Sequence, residues 1–240
     1  GNRNMSRNYS EFFRWGEIDS ILHDSDFVHQ SPTEAGNFSM SFITWKTAFE
    51  KINTNYQSDA FDQFLLNREV ISQQLAENYK KPVPSSGFAS GFGPTSQGTL
   101  MYSFLSAYSG KDARKYPLTT FPNRPAPNWR VTYDGLSKWK PLKKYFKTVT
   151  LSHAYRSSYS FAYTNNLKSG LAKSGDSLVN TTAETNDYIF YEQLGSISIA
   201  EQLSPLIKID LTMQNSLQFN IAYKRERNLS LSFANNQLTE

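Results

Sequence analysis

From Thr148 to Thr164 the chain reads TVTLSHAYRSSYSFAYT, and large and small side chains alternate along it. Val149, Leu151, His153, Tyr155, Tyr159, Phe161 and Tyr163 share one parity, while Thr, Ser, Ala and Arg156 hold the other. A period of two over this length predicts a long β-strand with one apolar and one wet face. The same pattern returns in YIFYEQLGSISIAEQLSPLIKIDLTM, where Pro205 requires a bend, bulge or break in the ladder. Near the C-terminal end Ile207, Ile209, Leu211 and Met213 alternate with polar residues, and so do Leu217, Phe219, Ile221 and Tyr223. Cross-strand partners must share a face. A two-residue turn would set Leu211 opposite Gln218, an apolar side chain beside a wet one. A three-residue loop, 214–216, pairs Leu211 with Phe219 and Ile209 with Ile221, and needs Asn215 or Ser216 in the left-handed region. Beyond it YKRERNLSLSF leaves two options: the strand turns back at Arg225 to Asn228, or it runs on.

Residues 1–49 read as strands with a loop. NMSRNYSEFFRWGE alternates loosely, a polar turn-rich run follows, and FSMSFITWKTAF reads as a strand. The period then changes. In 50–128, Phe61, Phe64, Leu65, Ile71 and Leu75 fall at helical spacing behind Ser58 and Asp59 as candidate caps. KPVPSSGFASGFGPTSQG is loop chemistry, and TLMYSFLSAYSG predicts a second helix with Leu100, Phe104, Leu105 and Tyr108 on one side and Gly110 as its stop. This helical insert interrupts a β pattern that resumes over 129–240, where 165–187 is polar and aperiodic and predicts a long loop.

Composition narrows the class. Apolar residues are 38% and charged residues 19%, both below ordinary globular shares, whereas aromatics reach 15%. Few aliphatics and many Ser, Thr, Asn and aromatic residues suit a transmembrane β-barrel, half of whose strand positions face water. No run of about 18 apolar residues predicts a membrane helix. Seventeen strand residues span roughly 56 Å, or roughly 40 Å of height at a tilt near 45°, enough to overshoot the hydrocarbon layer. The fold expected is therefore mainly β: an arc of a large antiparallel transmembrane barrel carrying a small helical element. The competing reading is a soluble antiparallel sheet with one wet face.

On the barrel reading Arg156, Lys208 and Asp210 line a polar lumen. Val149, Leu151, Tyr155, Tyr159, Phe161 and Tyr163 face lipid or its interface. If tight turns are periplasmic, so are the 214–216 turn, the lysine-rich KWKPLKKYFK segment and the insert 50–128. The loop 165–187 then lies outside. A periplasmic insert of this size would suit a gate, a plug or a docking surface.

Chemical motifs are sparse. Cysteine is absent, which excludes disulfides and thiolate metal sites. The histidines are His23, His29 and His153. Ser152 and His153 are strand neighbours that point to opposite faces and cannot form a nucleophile–base pair. GFGPTSQG lacks the Gly-Lys-Ser/Thr ending of a phosphate loop, and SGKDA lacks the upstream glycine. HDSD and DFVH read as solvated loop. No catalysis, cofactor or metal is expected. A net charge of +4 with one local basic cluster gives no nucleic-acid footprint; that cluster could touch lipid headgroups or a partner, or form a solvated rim.

PNWRVTYDGLSKW, FKTVTLSHAYRSSYSF, EQLSPLIKIDLTMQNSL and GFGPTSQGTLMYSFLSAYSGKD closely resemble the SprA (Sov) family. These are giant outer-membrane translocons of the Bacteroidota type 9 secretion system, needed also for gliding motility. The resemblance runs in order along nearly the whole chain. It implies a very large single-chain barrel, exposed to cell surface and periplasm, through which folded cargo with C-terminal sorting domains passes. Its implied partners are the rest of the barrel chain, a PorV-type shuttle, a plug subunit, cargo and lipid. No family site maps residue by residue. The alternating segments amount to about five to seven strands, whereas single-chain barrels start at eight, and an open arc leaves two edges unpaired in lipid. The chain is thus expected to be a wall segment of something longer. It opens GNRNMS, without a leader's basic and apolar regions, so either a leader has been removed or the chain is a piece. Two alternatives remain open: a segment of another outer-membrane barrel, such as a receptor or transporter, and a soluble α+β surface-binding module.

Overall fold

A computed structural model describes residues 1–14, 17–18, 21–22, 26–29, 32–50, 53–54, 58–166 and 185–240. It is mainly β, a curled antiparallel half-barrel sheet with three α-helices among the described residues. His23 and most of the 165–187 loop fall outside these residues.

The alternating stretch forms the central strand β8 (Phe146–Asn165). It pairs along its length with β9 (Glu192–Met213), and β9 pairs with β10 (Gln218–Ser232), whose last residues pair with β11 (Gln237–Thr239). Leu211 lies opposite Phe219, Ile209 opposite Ile221 and Ile207 opposite Tyr223. The connection is the three-residue loop, with Ser216 at φ +68° and Met213 N–H donating to Leu217 O over 2.8 Å. β10 runs straight through Arg225 to Ser232, so the strand does not turn back there.

The other side of β8 is shared. β6 (Thr33–Ser41) pairs with Ser158 to Asn165, and β7 (Trp129–Tyr133) pairs with Leu151 to Tyr155. Both run antiparallel to β8, so they are two halves of one lane. FSMSFITWKTAF therefore does not form one strand: Ser41 ends β6, and a 3-10 turn covers Trp45–Thr47. The lane is stitched where it breaks, since Ala126 N–H donates to Ser41 O and the Asn128 side chain accepts from Ser157 N–H. β1 (Asn2–Asn8) closes the far side of β6. Between them β2 (Glu11–Arg14) pairs with β5 (Asp26–His29), and β3 (Glu17–Ile18) with β4 (Ile21–Leu22), so part of the polar run is strand rather than loop.

The excursion from 42 to 128 folds onto one face of this sheet. α1 (Asp59–Asn78) starts at Ser58, whose hydroxyl accepts from Phe61 N–H over 3.2 Å. It buries Phe64, Ile71 and Leu75, while Leu65 remains at its surface. α2 (Gln97–Tyr108) has no charged residue and is buried on every side, not on one stripe. Only a helix free of charges can fill that middle layer without stranding a charge. Gly110 follows at φ +62°. α3 (Lys140–Lys143) is a single turn at the other end of the sheet, in the β7–β8 connection.

The core lies between α2 and the upper half of the sheet. Phe38, Met40, Phe42, Tyr159, Phe161, Tyr163, Ile197, Ile199, Leu229 and Leu231 pack there against Leu100, Phe104 and Tyr108. The insert therefore covers the half of the sheet away from the 214–216 turn. The expectation that it sits at the tight-turn end is overturned, because it leaves its lane at mid-height and folds back toward the long-loop end.

Candidate functional site: an uncovered apolar band and a buried clamp

One sheet face carries both halves of the molecule's chemistry, and a bulge keeps it continuous. Three residues of β8, 153–155, stand opposite five of β9, 203–207, and on the other side Lys224 alone stands opposite 204–206. The excess is two residues on either count. An even excess preserves parity, so the apolar face above the bulge is still the apolar face below it.

Above the bulge that face is covered by the insert. Tyr159 is 0% exposed, and Tyr155, Phe161 and Tyr163 are buried with it. On the tight-turn side of the bulge Val149 is buried as well, not by the insert but by the β7–β8 connection, where the Ser137 hydroxyl bridges its N–H (2.8 Å) and its carbonyl (3.1 Å). Of the six residues expected to face lipid, Val149, Tyr155, Tyr159, Phe161 and Tyr163 thus face protein instead. The alternation marks which face is buried but not what buries it. Leu151 alone of the six stays substantially exposed.

Below the bulge the insert does not cover the same face, although Val149 there is buried beside the 3-10 turn Gly135–Lys138. Val131, Leu151, Ile207, Leu217, Phe219, Ile221 and Tyr223 are exposed, Ile221 and Tyr223 to 61%. Ile209 and Leu211 are half-buried among them. Aromatics frame this band at both ends. At mid-height Trp129 stacks on Tyr155 at 4.5 Å, and Trp45 packs edge-on against Tyr155 at 5.4 Å and His153 at 5.8 Å. At the tight-turn end Tyr133, Trp139 and Tyr145 are exposed. The opposite face is wet. Lys208 and Asp210 form a 2.9 Å ion pair there, the Asn220 amide donates to Asp210 over 2.5 Å, and Arg156 is exposed on the same parity. Arg156, Lys208 and Asp210, expected to line a lumen, thus lie on one face of the sheet.

The second feature is a buried ion pair on the apolar face. The Glu201 side chain is 1% exposed and Arg227 lies opposite it. Arg227 Nη2 stands 2.9 Å from Glu201 Oε2, and Nε donates to the same oxygen over 3.2 Å. The other carboxylate oxygen accepts from the Tyr155 hydroxyl and the Thr44 hydroxyl, each at 2.7 Å. Arg227 also reaches into the insert, donating to Thr47 O over 2.8 Å and to the Thr47 hydroxyl over 3.1 Å. Thr47 in turn donates to Tyr108 O at the end of α2 over 2.8 Å. The pair therefore ties sheet, 3-10 turn and α2 together at the point where the insert leaves its lane. A buried pair is tolerable only when its remaining donors and acceptors are satisfied, as here.

Sequence reading missed this clamp, yet it leaves a signal. Glu201 sits on the parity of Ile197, Ile199 and Leu203, and Arg227 on that of Leu229 and Leu231. Two opposite charges on apolar parity, on strands joined by one tight turn, are the expected signature of a facing buried pair. The Nδ1 of His153 is 2.7 Å from Leu206 O. Among the described residues no group of His, Asp or Glu side chains is arranged to hold a metal. Among the described residues no helix is long and apolar enough to cross a membrane, which says nothing about strands. Compared with known families and with curated proteins, the sequence finds no match.

Proposed function

We propose that this chain is a wall segment of an outer-membrane β-barrel, and that the barrel is a protein-export channel of the SprA (Sov) type. The observation that carries the membrane part is the uncovered apolar band, framed by aromatics and backed by an ion-paired wet face. From Phe146 to Tyr155 the central strand advances nine residues. At a rise of about 3.3 Å and a tilt near 40° that is roughly 23 Å of height, against an apolar belt of about 25 Å in outer-membrane barrels. Water-exposed Ile221, Phe219 and Ile207 have no other evident cover, and contiguous apolar surface of this kind marks an interaction face.

On this reading the wall has two tiers. The lower tier, from the tight turn to the Trp45–Trp129 level, crosses the bilayer. The upper tier rises beyond it, and the insert shields its apolar face on the lipid-facing side of the wall. With the tight turn periplasmic, the insert belongs to the extracellular half. Lys208, Asp210 and Arg156 then line the lumen, where a charge avoids the roughly 2–4 kcal/mol that an arginine costs at the bilayer midplane.

The export function rests on the sequence resemblance. It carries with it the PorV-type shuttle, the plug subunit, cargo with C-terminal sorting domains and a role in gliding motility. The segment itself is a passive wall and performs no chemistry. A soluble α+β surface-binding module is the second reading, favoured by the fully covered core of the upper tier. Extraction separates them: a wall segment fractionates with outer membranes and needs detergent. Within the band, Leu151→Arg and Ile221→Arg abolish membrane assembly while Arg156→Ala leaves it intact. Equal behaviour of all three, or a monodisperse product without detergent, overturns the membrane reading.

A further inference from the structure

Five lysines fall within the ten residues from Lys138 to Lys147, with no acidic residue among them. All five are exposed, and among the described residues no ion pair joins any of them to a carboxylate. In sequence Asp134 precedes the segment, and Asp210 is paired with Lys208 on the wet face. Trp139 is 60% and Tyr145 57% exposed within the same segment. Two large amphipathic rings more than half open to water are as unexplained as the lysines around them.

The segment is not a loose tail. The Gln214 side-chain amide donates to Lys143 O over 3.0 Å and to Phe146 O over 3.3 Å, and Gln214 N–H donates to Tyr145 O over 3.0 Å. The three-residue turn of the β9–β10 hairpin therefore pins the basic segment at the foot of the apolar band. Charge, aromatic rings and a fixed position coincide at the level where a bilayer's headgroups would begin.

We infer that this Lys–Trp–Tyr collar binds the phosphate headgroups of anionic phospholipids in the leaflet at the tight-turn end. The inference rests on the wall reading above, which supplies the level. Trp139 and Tyr145 sit with their rings at the acyl boundary and their polar edges in the headgroups. The lysine stems lie along the same boundary and carry their ammonium groups outward to phosphate. Each lysine near an anionic surface is worth a factor of about five in affinity. Even with strong saturation, five of them support a preference of at least about 100-fold over zwitterionic lipid.

The test is vesicle co-flotation of the purified protein, diluted from detergent into phosphatidylcholine vesicles or into vesicles with three parts in ten phosphatidylglycerol. Wild type should reach half-association at roughly 100-fold less lipid on the anionic vesicles. The variant K138Q/K140Q/K143Q/K144Q/K147Q should lose that preference and still associate with phosphatidylcholine. Wild type associating equally with both vesicles, or the variant keeping the full preference, overturns the inference. Should the variant fail to fold, wild type in 1 M salt gives the answer: screening over about 3 Å should collapse the preference, and an undiminished preference overturns it. Equal affinity for a single-stranded DNA oligomer in detergent would mark an indiscriminate polyanion surface and also overturn it. Failure of the wall reading has a different signature, since wild type would then stay off the phosphatidylcholine vesicles while retaining or lacking the anionic preference independently.

Discussion

Replacing Arg227 with methionine tests the clamp most directly. The substitution keeps an unbranched apolar stem but removes the guanidinium that touches Glu201, Glu240, Thr47 and Thr44. Glu201 then remains 1% exposed with only the Thr44 and Tyr155 hydroxyls as donors. Two hydroxyls do not replace a countercharge. Removing one partner of a buried pair costs about 3–5 kcal/mol, a factor of roughly 140 to 4,000 in the equilibrium between docked and undocked insert. By contrast Asp210→Asn disrupts a pair exposed by about a third on each side, where the loss should stay within about 1 kcal/mol. Hydrogen exchange read by mass spectrometry, with the protein in detergent, should show amides of Thr44 to Ala48 and of α2 opening faster in R227M and unchanged in D210N. The double variant E201M/R227M should recover part of the loss, because the buried Glu201 charge goes with its partner and only the partly exposed Glu240 carboxylate loses its contact with Arg227. If R227M lies within about 1 kcal/mol of wild type, or if the double variant is no better than R227M, the clamp contributes nothing of the kind described.

Other expectations follow from individual positions. Ser216→Gly relieves a left-handed residue at φ +68° and should raise stability by about 0.5–1 kcal/mol, read as a higher urea midpoint. Gly98→Ala builds a methyl group into the Phe190 ring inside a fully buried layer. It should destabilise the protein by about 1–3 kcal/mol despite alanine's better helix propensity. Burial raises the Tyr102, Tyr108 and Tyr116 phenols above the ordinary tyrosine value. A raised phenol supports the fold fully below about pH 10, and that support is lost as pH rises toward the elevated native values. Absorbance at 295 nm should therefore show these tyrosines ionising late, in step with unfolding. Ordinary titration near pH 10 in a still-folded protein would contradict their burial.

How much of this was legible in the sequence depends on whether neighbours along the chain or across it decide the matter. Alternation alone located β8 and the β9–β10 hairpin, and the requirement that partners share a face gave the Leu211–Phe219 register and a left-handed residue at Asn215 or Ser216. Helical spacing and Ser58 located α1. These are local properties: side-chain period, turn chemistry and capping act within a few residues.

What covers a face is not local. Tyr159 and Ile221 sit on the same face of the same sheet, one fully buried and the other 61% exposed. Nothing in the period distinguishes them. The difference comes from an insert that leaves its lane at Ser41, rejoins it at Trp129 and brings a charge-free helix over the upper half only. The sequence by itself determined the long strands around β8 and the β9–β10 hairpin, their faces and the existence of the insert. Only the tertiary structure decided that five aromatic-face residues meet protein rather than lipid, that the insert lies at the long-loop end, and that Glu201 and Arg227 meet. Those outcomes depend on contacts between segments far apart in the chain, such as Thr44 with Glu201 and Thr47 with Arg227, whose geometry no local pattern encodes.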